Sequence, residues 1–208
     1  MAIVGSAPSV LENAAGFVDS HDIVVRVNNY KLGQAQGFRT DVHASFYGSS
    51  IRKTTVELRK DGVTLCLCKC PNGKPLQSDW HEQNGHQIGV DFRYIYTSRA
   101  AWWFCDIYIP TAAEFMAKFE MLGKHIPTTG FAAILDVVAF GPRSIYLTGF
   151  DFFTSGAHNV DEPWRPGDPA DPIGHRPELE RAWIAEHAKL FMLDARLEAI
   201  VAGQEAMA

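Results

Sequence analysis

The chain has 208 residues, 47% hydrophobic and 21% charged, with a formal net charge of −5. That balance suits one globular domain over residues 1–208, large enough to bury a core without staples. The acidic excess excludes a general nucleic-acid binder, and the lack of an apolar run of about 18 residues leaves at most peripheral membrane contact.

Met1-Ala2-Ile3-Val4-Gly5 enters a buried-strand pattern directly, with no charged region, apolar stretch or cleavage site of a leader, so a cytoplasmic location is expected. Strands are predicted over Ala2–Val4, Ile23–Val27, Val42–Phe46, Val63–Cys68 and Ser144–Thr148. Helices are predicted over Ser9–Ala15, Ile51–Lys60, Ala112–Leu122 and Thr129–Phe140, the last capped by Thr128 or Thr129 and ended by Gly141-Pro142. Another helix begins at Pro177 and runs to at least Leu190, and Leu193–Val201 reads equally as its continuation or as a short last strand. Cys66, Cys68 and Cys70 alternate and would share one face of a strand. With Cys105 they fit neither a zinc nor a redox spacing, so reduced structural thiols are expected.

Two stretches interrupt the alternation. Asn72–Gly89, with His81 and His86, reads as a polar surface loop or lid. Gly156–Gly174, with Pro163, Pro166, Pro169 and Pro172, is too long and irregular for a simple connector. The β-α-β-α order points to an α/β domain with a mostly parallel sheet. In such sheets ligands bind outside the carboxyl ends of the strands, near the topological switch point.

Three short segments carry candidate chemistry. Gly5-Ser6-Ala7-Pro8-Ser9 is a glycine turn directly after the first strand; it fits a nucleotide contact or an ordinary tight βα turn. It is no dinucleotide fingerprint, since Ala7 and Val10 stand where that motif needs glycine. Arg26 and Asn28, two apart near a strand end, either satisfy neighbouring backbone or point into the crevice. Thr128-Thr129-Gly130 opens an apolar helix, as an anion site for a carboxylate or phosphate or as a plain N-cap.

In chain order the segments form a pattern. Val4-Gly5-Ser6-Ala7-Pro8-Ser9, then Gly16-x-Val18-Asp19-x-His21-Asp22-x-Val24-x-Arg26-x-Asn28 and Thr40-Asp41-Val42, resembles the large sialylmotif of glycosyltransferase family 29. Pro127-Thr128-Thr129-Gly130, with Ser144-Ile145-Tyr146-Leu147-Thr148-Gly149-Phe150-Asp151, resembles the small sialylmotif and is similar to the matching stretch of family 42 bacterial sialyltransferases. His175-Arg176-Pro177-Glu178-Leu179-Glu180 has the His-x-x-x-x-Glu spacing of the very small sialylmotif. Gly174-His175 is similar to the Gly-His before the last helix in family 42, and His158 in Gly156-Ala157-His158-Asn159 resembles the motif III histidine.

The resemblance implies a Rossmann-like fold of GT-A type and an inverting transfer of a 2-keto acid sugar, sialic acid or Kdo, from its CMP donor to a glycan or glycolipid acceptor. It implies no metal and no other cofactor. Carried over by residue, it implies that Asn28 binds near the donor phosphate and that Ser6 and Ala7 line the cytidine side. Thr129 and Gly130 would meet the donor carboxylate or cytidine, His158 and Tyr146 would face the phosphate, and His175 would be the general base. Gly5, Thr128, Gly149, Phe150 and Asp151 complete the implied donor site.

There are departures. Ser6 stands where both families usually carry asparagine, Phe153 stands near a phosphate-binding tyrosine of family 42, and the half-cystines of family 29 have no evident partners. The metal expectation has separate support, because no two aspartates are separated by one residue and a single phosphate can be held by histidine, tyrosine and helix N–H groups. Trp164, in the proline-rich loop, is a candidate to stack on the acceptor. A non-catalytic nucleotide-binding module fits Ser6 and the short chain but not an intact His175. A nicotinamide oxidoreductase is opposed by the missing glycines and by the lack of an acid after the second strand.

Overall fold

A computed structural model describes residues 1–46, 53–71, 105–154, 157–159, 162–163 and 175–203. Seven strands form one sheet: β1 (Ala2–Val4), β2 (Val24–Val27), β3 (Val42–Ser45), β4 (Leu65–Cys68), β5 (Asp106–Tyr108), β6 (Ile145–Thr148) and β9 (Phe191–Leu193). Their order is β5-β4-β3-β2-β1-β6-β9, and every neighbouring pair is parallel. β7 (Ala157–Asn159) and β8 (Glu162–Pro163) form a separate antiparallel pair. This is the α/β architecture expected from the sequence. β1, β2, β3 and β6 are buried at every position, as the inner strands of a parallel sheet covered on both faces must be.

The helices begin where side chains can take up their first N–H groups. Thr54 caps α1 (Thr55–Lys60) and Thr111 caps α2 (Ala112–Met121), each with a reciprocal glutamate three residues on. Thr128 caps α3 (Thr129–Ala139), Pro177 opens α4 (Pro177–Glu186), and Asp194 caps α5 (Ala195–Val201). α3 is apolar almost throughout and packs against β2 and β3. Its Phe131, Ile134 and Val137 join Ile3, Val25, Ala44 and Leu147 in the main core. The alternate residues Ala2, Val4, Val24 and Tyr146 face the other way, onto Val10 and Val18.

Several elements differ from expectation. The segment predicted as a helix over Ser9–Ala15 is a 3-10 turn, Pro8–Glu12, because the Asn13 amide donates to the Val10 carbonyl and to Thr148 Oγ1 and stops it. α1 starts at Thr55, after its cap Thr54, and residues 51 and 52 of the predicted span lie outside the described residues. α4 ends at Glu186, where the His187 ring stacks on Trp183 with centroids 4.1 Å apart. A 3-10 turn and β9 follow, so the tail holds both a strand and a helix. Strand β5 went unforeseen: it is three residues long and partly exposed at the sheet edge. Cys66 and Cys68 share a face as expected, whereas Cys70 lies beyond β4 in a different cluster, and none of the four cysteines is in a disulfide.

The chain lays β1 to β5 outward in one direction, then returns to place β6 on the other side of β1. That reversal is the switch point, where the loops after β1 and β6 part. Among the described residues no helix is long and apolar enough to cross a membrane.

Candidate active site

The loops after β1 and β6 meet backbone to backbone. Gly5 N–H donates to the Thr148 carbonyl at 2.8 Å and Ala7 N–H to the Gly149 carbonyl at 2.9 Å. A Cβ on Gly5 would lie 2.1 Å from the Gly149 carbonyl oxygen, so only glycine fits, and Gly149 itself has φ +74°. Buried Asp194 clamps this junction. Its Oδ2 accepts from Gly149 N–H at 2.9 Å and from Ser9 Oγ at 3.4 Å, while Oδ1 caps α5 through Leu197 N–H.

A cleft of about 390 Å³ opens along this carboxyl edge, a volume typical of small-molecule sites. Its wall is made by the chain leaving five successive strands: Gly5, Ser6 and Ala7 after β1; Val27 and Asn28 from β2; Phe46 after β3; Lys69 after β4; and Gly149–Phe153 after β6. The start of α3, from Thr128 to Gly130, closes one side, with His175 and Glu180 beside it. The first N–H groups of α3 have no acceptor within the helix, so the end that meets the cleft carries partial positive charge.

Asn28 leaves β2 with φ +51°, which asparagine tolerates better than most residues. Its carbonyl accepts from His43 Nε2 at 2.8 Å and its Oδ1 from Ser45 Oγ at 3.2 Å. Phe152 and Phe153 also have positive φ, 51° and 62°. For bulky residues that costs about 1–2 kcal/mol each, and the buried Asp151 carboxylate, accepting from Phe153 N–H at 3.0 Å, helps hold the turn.

Glu180 is 2% exposed and binds the cap of α3 twice, accepting from Thr128 N–H at 2.6 Å and from Thr128 Oγ1 at 2.8 Å. Burial pushes its carboxyl from the ordinary 4.5 up to about 7, against the pull of the Thr128 donors and of Lys69. His175 Nδ1 lies 2.9 Å from the Ile126 carbonyl oxygen. A carbonyl can only accept, so Nδ1 carries the hydrogen and Nε2 is the basic nitrogen. Behind α3, Lys118 of α2 and Asp136 form a buried ion pair that ties the two helices together.

The cleft therefore gathers Gly5, Ser6, Ala7, Asn28, Thr128, Thr129, Gly130, Gly149, Phe150, Asp151 and His175 from distant stretches of sequence. Tyr146 lies elsewhere. It points to the opposite face of β6, its hydroxyl donates to Asn13 Oδ1 at 2.5 Å, and its ring stacks on His21, so it does not face the cleft. Of Arg26 and Asn28, Asn28 lines the cleft, whereas Arg26 is buried away from it, its Nε donating to the Arg39 carbonyl and Thr40 Oγ1. Asp19 and Asp41 brace the backbone of Phe38, Arg39 and Val24. The His158 backbone lies in β7 and its side chain is outside the described residues, as are Trp164, the Asn72–Gly89 loop and most of Gly156–Gly174. Lys69 and Phe46 line the cleft unforeseen, the lysine hidden at the end of a cysteine-rich strand.

By sequence, no family model and no curated protein matches the chain. Solved structures do. The sialyltransferase CstII from Campylobacter jejuni, in complex with the substrate analogue CMP-3FNeuAc, superposes with a TM-score of 0.52 at 14% identity, over 94% of this chain and 87% of that one. A mammalian sialyltransferase gives 0.58 at 19% identity, over 92% of this chain and 66% of that one. The fold is the sialyltransferase fold. A CstII variant in complex with CMP gives a TM-score of 0.56 at 14% identity, over 96% of this chain and 84% of that one. The sialyltransferase fold thus covers nearly all of the chain, not one lobe of it.

Proposed function

We propose that this protein is an inverting, metal-independent glycosyltransferase that moves a 2-keto acid sugar, sialic acid or Kdo, from its CMP donor to a hydroxyl of a glycan acceptor. The observation that carries the reading is the convergence of Gly5–Ala7, Asn28, Thr128–Gly130, Gly149–Asp151 and His175 in one cleft at the switch point. The likeness to sialyltransferase structures holding CMP or CMP-3FNeuAc supports it.

In this reading the α3 N-terminus and Asn28 hold the anionic part of the donor, and the glycine junction lets the nucleoside approach the backbone. The bond from the anomeric carbon to the phosphate oxygen breaks, and its electron pair leaves with CMP. The acceptor oxygen bonds the opposite face of that carbon and loses its proton to His175 Nε2. The Ile126 carbonyl fixes the ring and its tautomer.

The test is a thermal shift with CMP, CDP and NAD, followed by a turnover screen with CMP-sialic acid and CMP-Kdo. A shift with CMP and release of CMP from one donor is the expected result. Binding of CMP without turnover of either donor would favour a non-catalytic module, the reading that Ser6, in place of asparagine, points toward. A shift with NAD alone would overturn both.

A further inference from the structure

Asn28 lines the cleft with a positive φ, and the neighbouring strand takes hold of it at three points. The Ala44 carbonyl accepts from Asn28 N–H at 2.9 Å. His43 Nε2 donates to the Asn28 carbonyl at 2.8 Å, and Ser45 Oγ donates to Asn28 Oδ1 at 3.2 Å. Three successive residues of β3 thus bind the backbone N–H, the carbonyl and the side chain of one residue. The ladder that pairs Arg26 with His43 and Val27 with Ala44 sets their register, and His43 and Ser45 are fully buried. A residue keeps a sparsely populated φ where its surroundings over-determine it, and such residues gather at ligand sites.

The Ser45 contact also decides which end of the side chain the cleft receives. A side-chain amide has an acceptor end, Oδ1, and a donor end, Nδ2. Oδ1 is turned to the Ser45 hydroxyl, and since a carbonyl oxygen can only accept, the hydroxyl is the donor. Nδ2 has no partner among the described residues, on a side chain that forms part of the cavity wall. An NH2 group suits an anionic oxygen, whereas an amide oxygen in its place would repel one.

We propose that Ser45 is a positioning residue: its hydroxyl orients the Asn28 amide so that Nδ2 donates to the phosphate of the nucleotide sugar, while His43 and Ala44 hold the backbone that carries it. The proposal rests on the reading of the cleft as a nucleotide-sugar site and adds to it how the strand beside Asn28 sets the polarity of that contact.

The experiment is calorimetric titration of the full-length protein with CMP and with cytidine, in wild type, Ser45→Ala, Asn28→Ala, Asn28→Asp and the double variant that joins Ser45→Ala to Asn28→Ala. Ser45→Cys takes the place of Ser45→Ala if that variant does not fold. Loss of one orienting hydrogen bond should weaken CMP about 3- to 10-fold in Ser45→Ala and leave cytidine unchanged. In the Asn28→Ala background the same serine substitution should change CMP affinity by less than about twofold, because two residues that act through one contact are not additive. Asn28→Asp keeps the acceptors and removes the NH2, so it should lose at least as much CMP affinity as Asn28→Ala. Unchanged CMP affinity in Ser45→Ala, a loss shared by cytidine, or the same loss with and without Asn28 overturns the proposal while leaving the donor reading intact. Near wild-type CMP binding by Asn28→Asp overturns it too, since the amide oxygen would then be the end that faces the ligand. If the wild-type protein does not bind CMP, the donor reading falls, and the same variants titrated with UMP, AMP and inorganic phosphate decide the rest. Binding that needs Ser45 only when Asn28 is present keeps the positioning role, and no binding removes it as well.

Discussion

Glu180→Gln separates the charge of the Glu180 carboxyl from its shape. The native carboxyl titrates near 7 rather than at the ordinary 4.5, chiefly because it is buried. Native protein therefore binds more protons here than unfolded chain between those two values, and stability falls as pH rises through the interval. The stability is fully present below about 4.5, is lost progressively up to about 7, and changes little above. The interval amounts to roughly 3 kcal/mol, of which about 2–3 kcal/mol falls between pH 5 and 8.

Glutamine resembles the protonated carboxyl and does not titrate. Its oxygen can keep the bond from Thr128 N–H, but its amide meets Thr128 Oγ1, which already accepts from Phe131 N–H at 3.1 Å. That mismatch costs about 1 kcal/mol at any pH. The variant should therefore be slightly less stable than wild type near pH 5 and about 1–2 kcal/mol more stable at pH 8, equivalent to roughly 2–8 °C in Tm for a chain of this size. Urea or thermal unfolding of both proteins from pH 5 to 8 measures this, and taking the difference cancels the histidines common to both. Parallel stability curves would refute the claim that burial holds this carboxyl up. An advantage for the variant that shrinks toward high pH would refute its sign.

Four further outcomes are expected. His175→Ala should lose turnover by about 10²–10⁴ while CMP affinity stays within twofold, and near wild-type transfer in a folded variant excludes His175 as the base. Asn28→Ala should weaken CMP binding by about 1.5–3 kcal/mol; Asn28→Gly, which accepts φ +51° without strain, should show the same loss, and unchanged calorimetry in both makes Asn28 purely structural. Gly5→Ala should cost about 1–3 kcal/mol or more of stability and weaken CMP binding, because its Cβ meets the Gly149 carbonyl at 2.1 Å; an unchanged Tm contradicts the close approach. Turnover in EDTA should match turnover with Mg²⁺, and a loss restored by added metal would end the metal-independent reading.

What could be read from the sequence follows from burial. β1, β2, β3 and β6 lie inside a parallel sheet and are buried at every position, so apolar and β-branched residues dominate them, with Arg26, His43 and Ser45 as the polar exceptions, and a short run still marks them. β5 and β9 are three-residue edge strands with one neighbour each, too short to stand out from the segments that flank them. The turn at Pro8–Glu12 carries helical periodicity but is decided by the Asn13 amide, a contact with β6 across 135 residues that no local pattern contains. Tyr146 was misplaced for a related reason. A motif names a residue, whereas the pleat decides its face, and the alternation with Leu147 sends it away from α3.

The cleft was the more legible part because topology supplies it. Once the parallel strands are located, the residues following them come to one edge whatever their side chains do, and glycines or threonines there already suggest backbone contacts and anions. Which of those side chains turn inward depends on features with no sequence period. Three are the positive φ of Asn28, the strained Phe152-Phe153 turn, and the Asp194 carboxylate that reaches back 45 residues to hold Gly149. Lys69 belongs with them. Its neighbours read as core, and only the placement of β4, two strands from β2, turns the residue after it from a core lysine in need of explanation into the wall of a cavity.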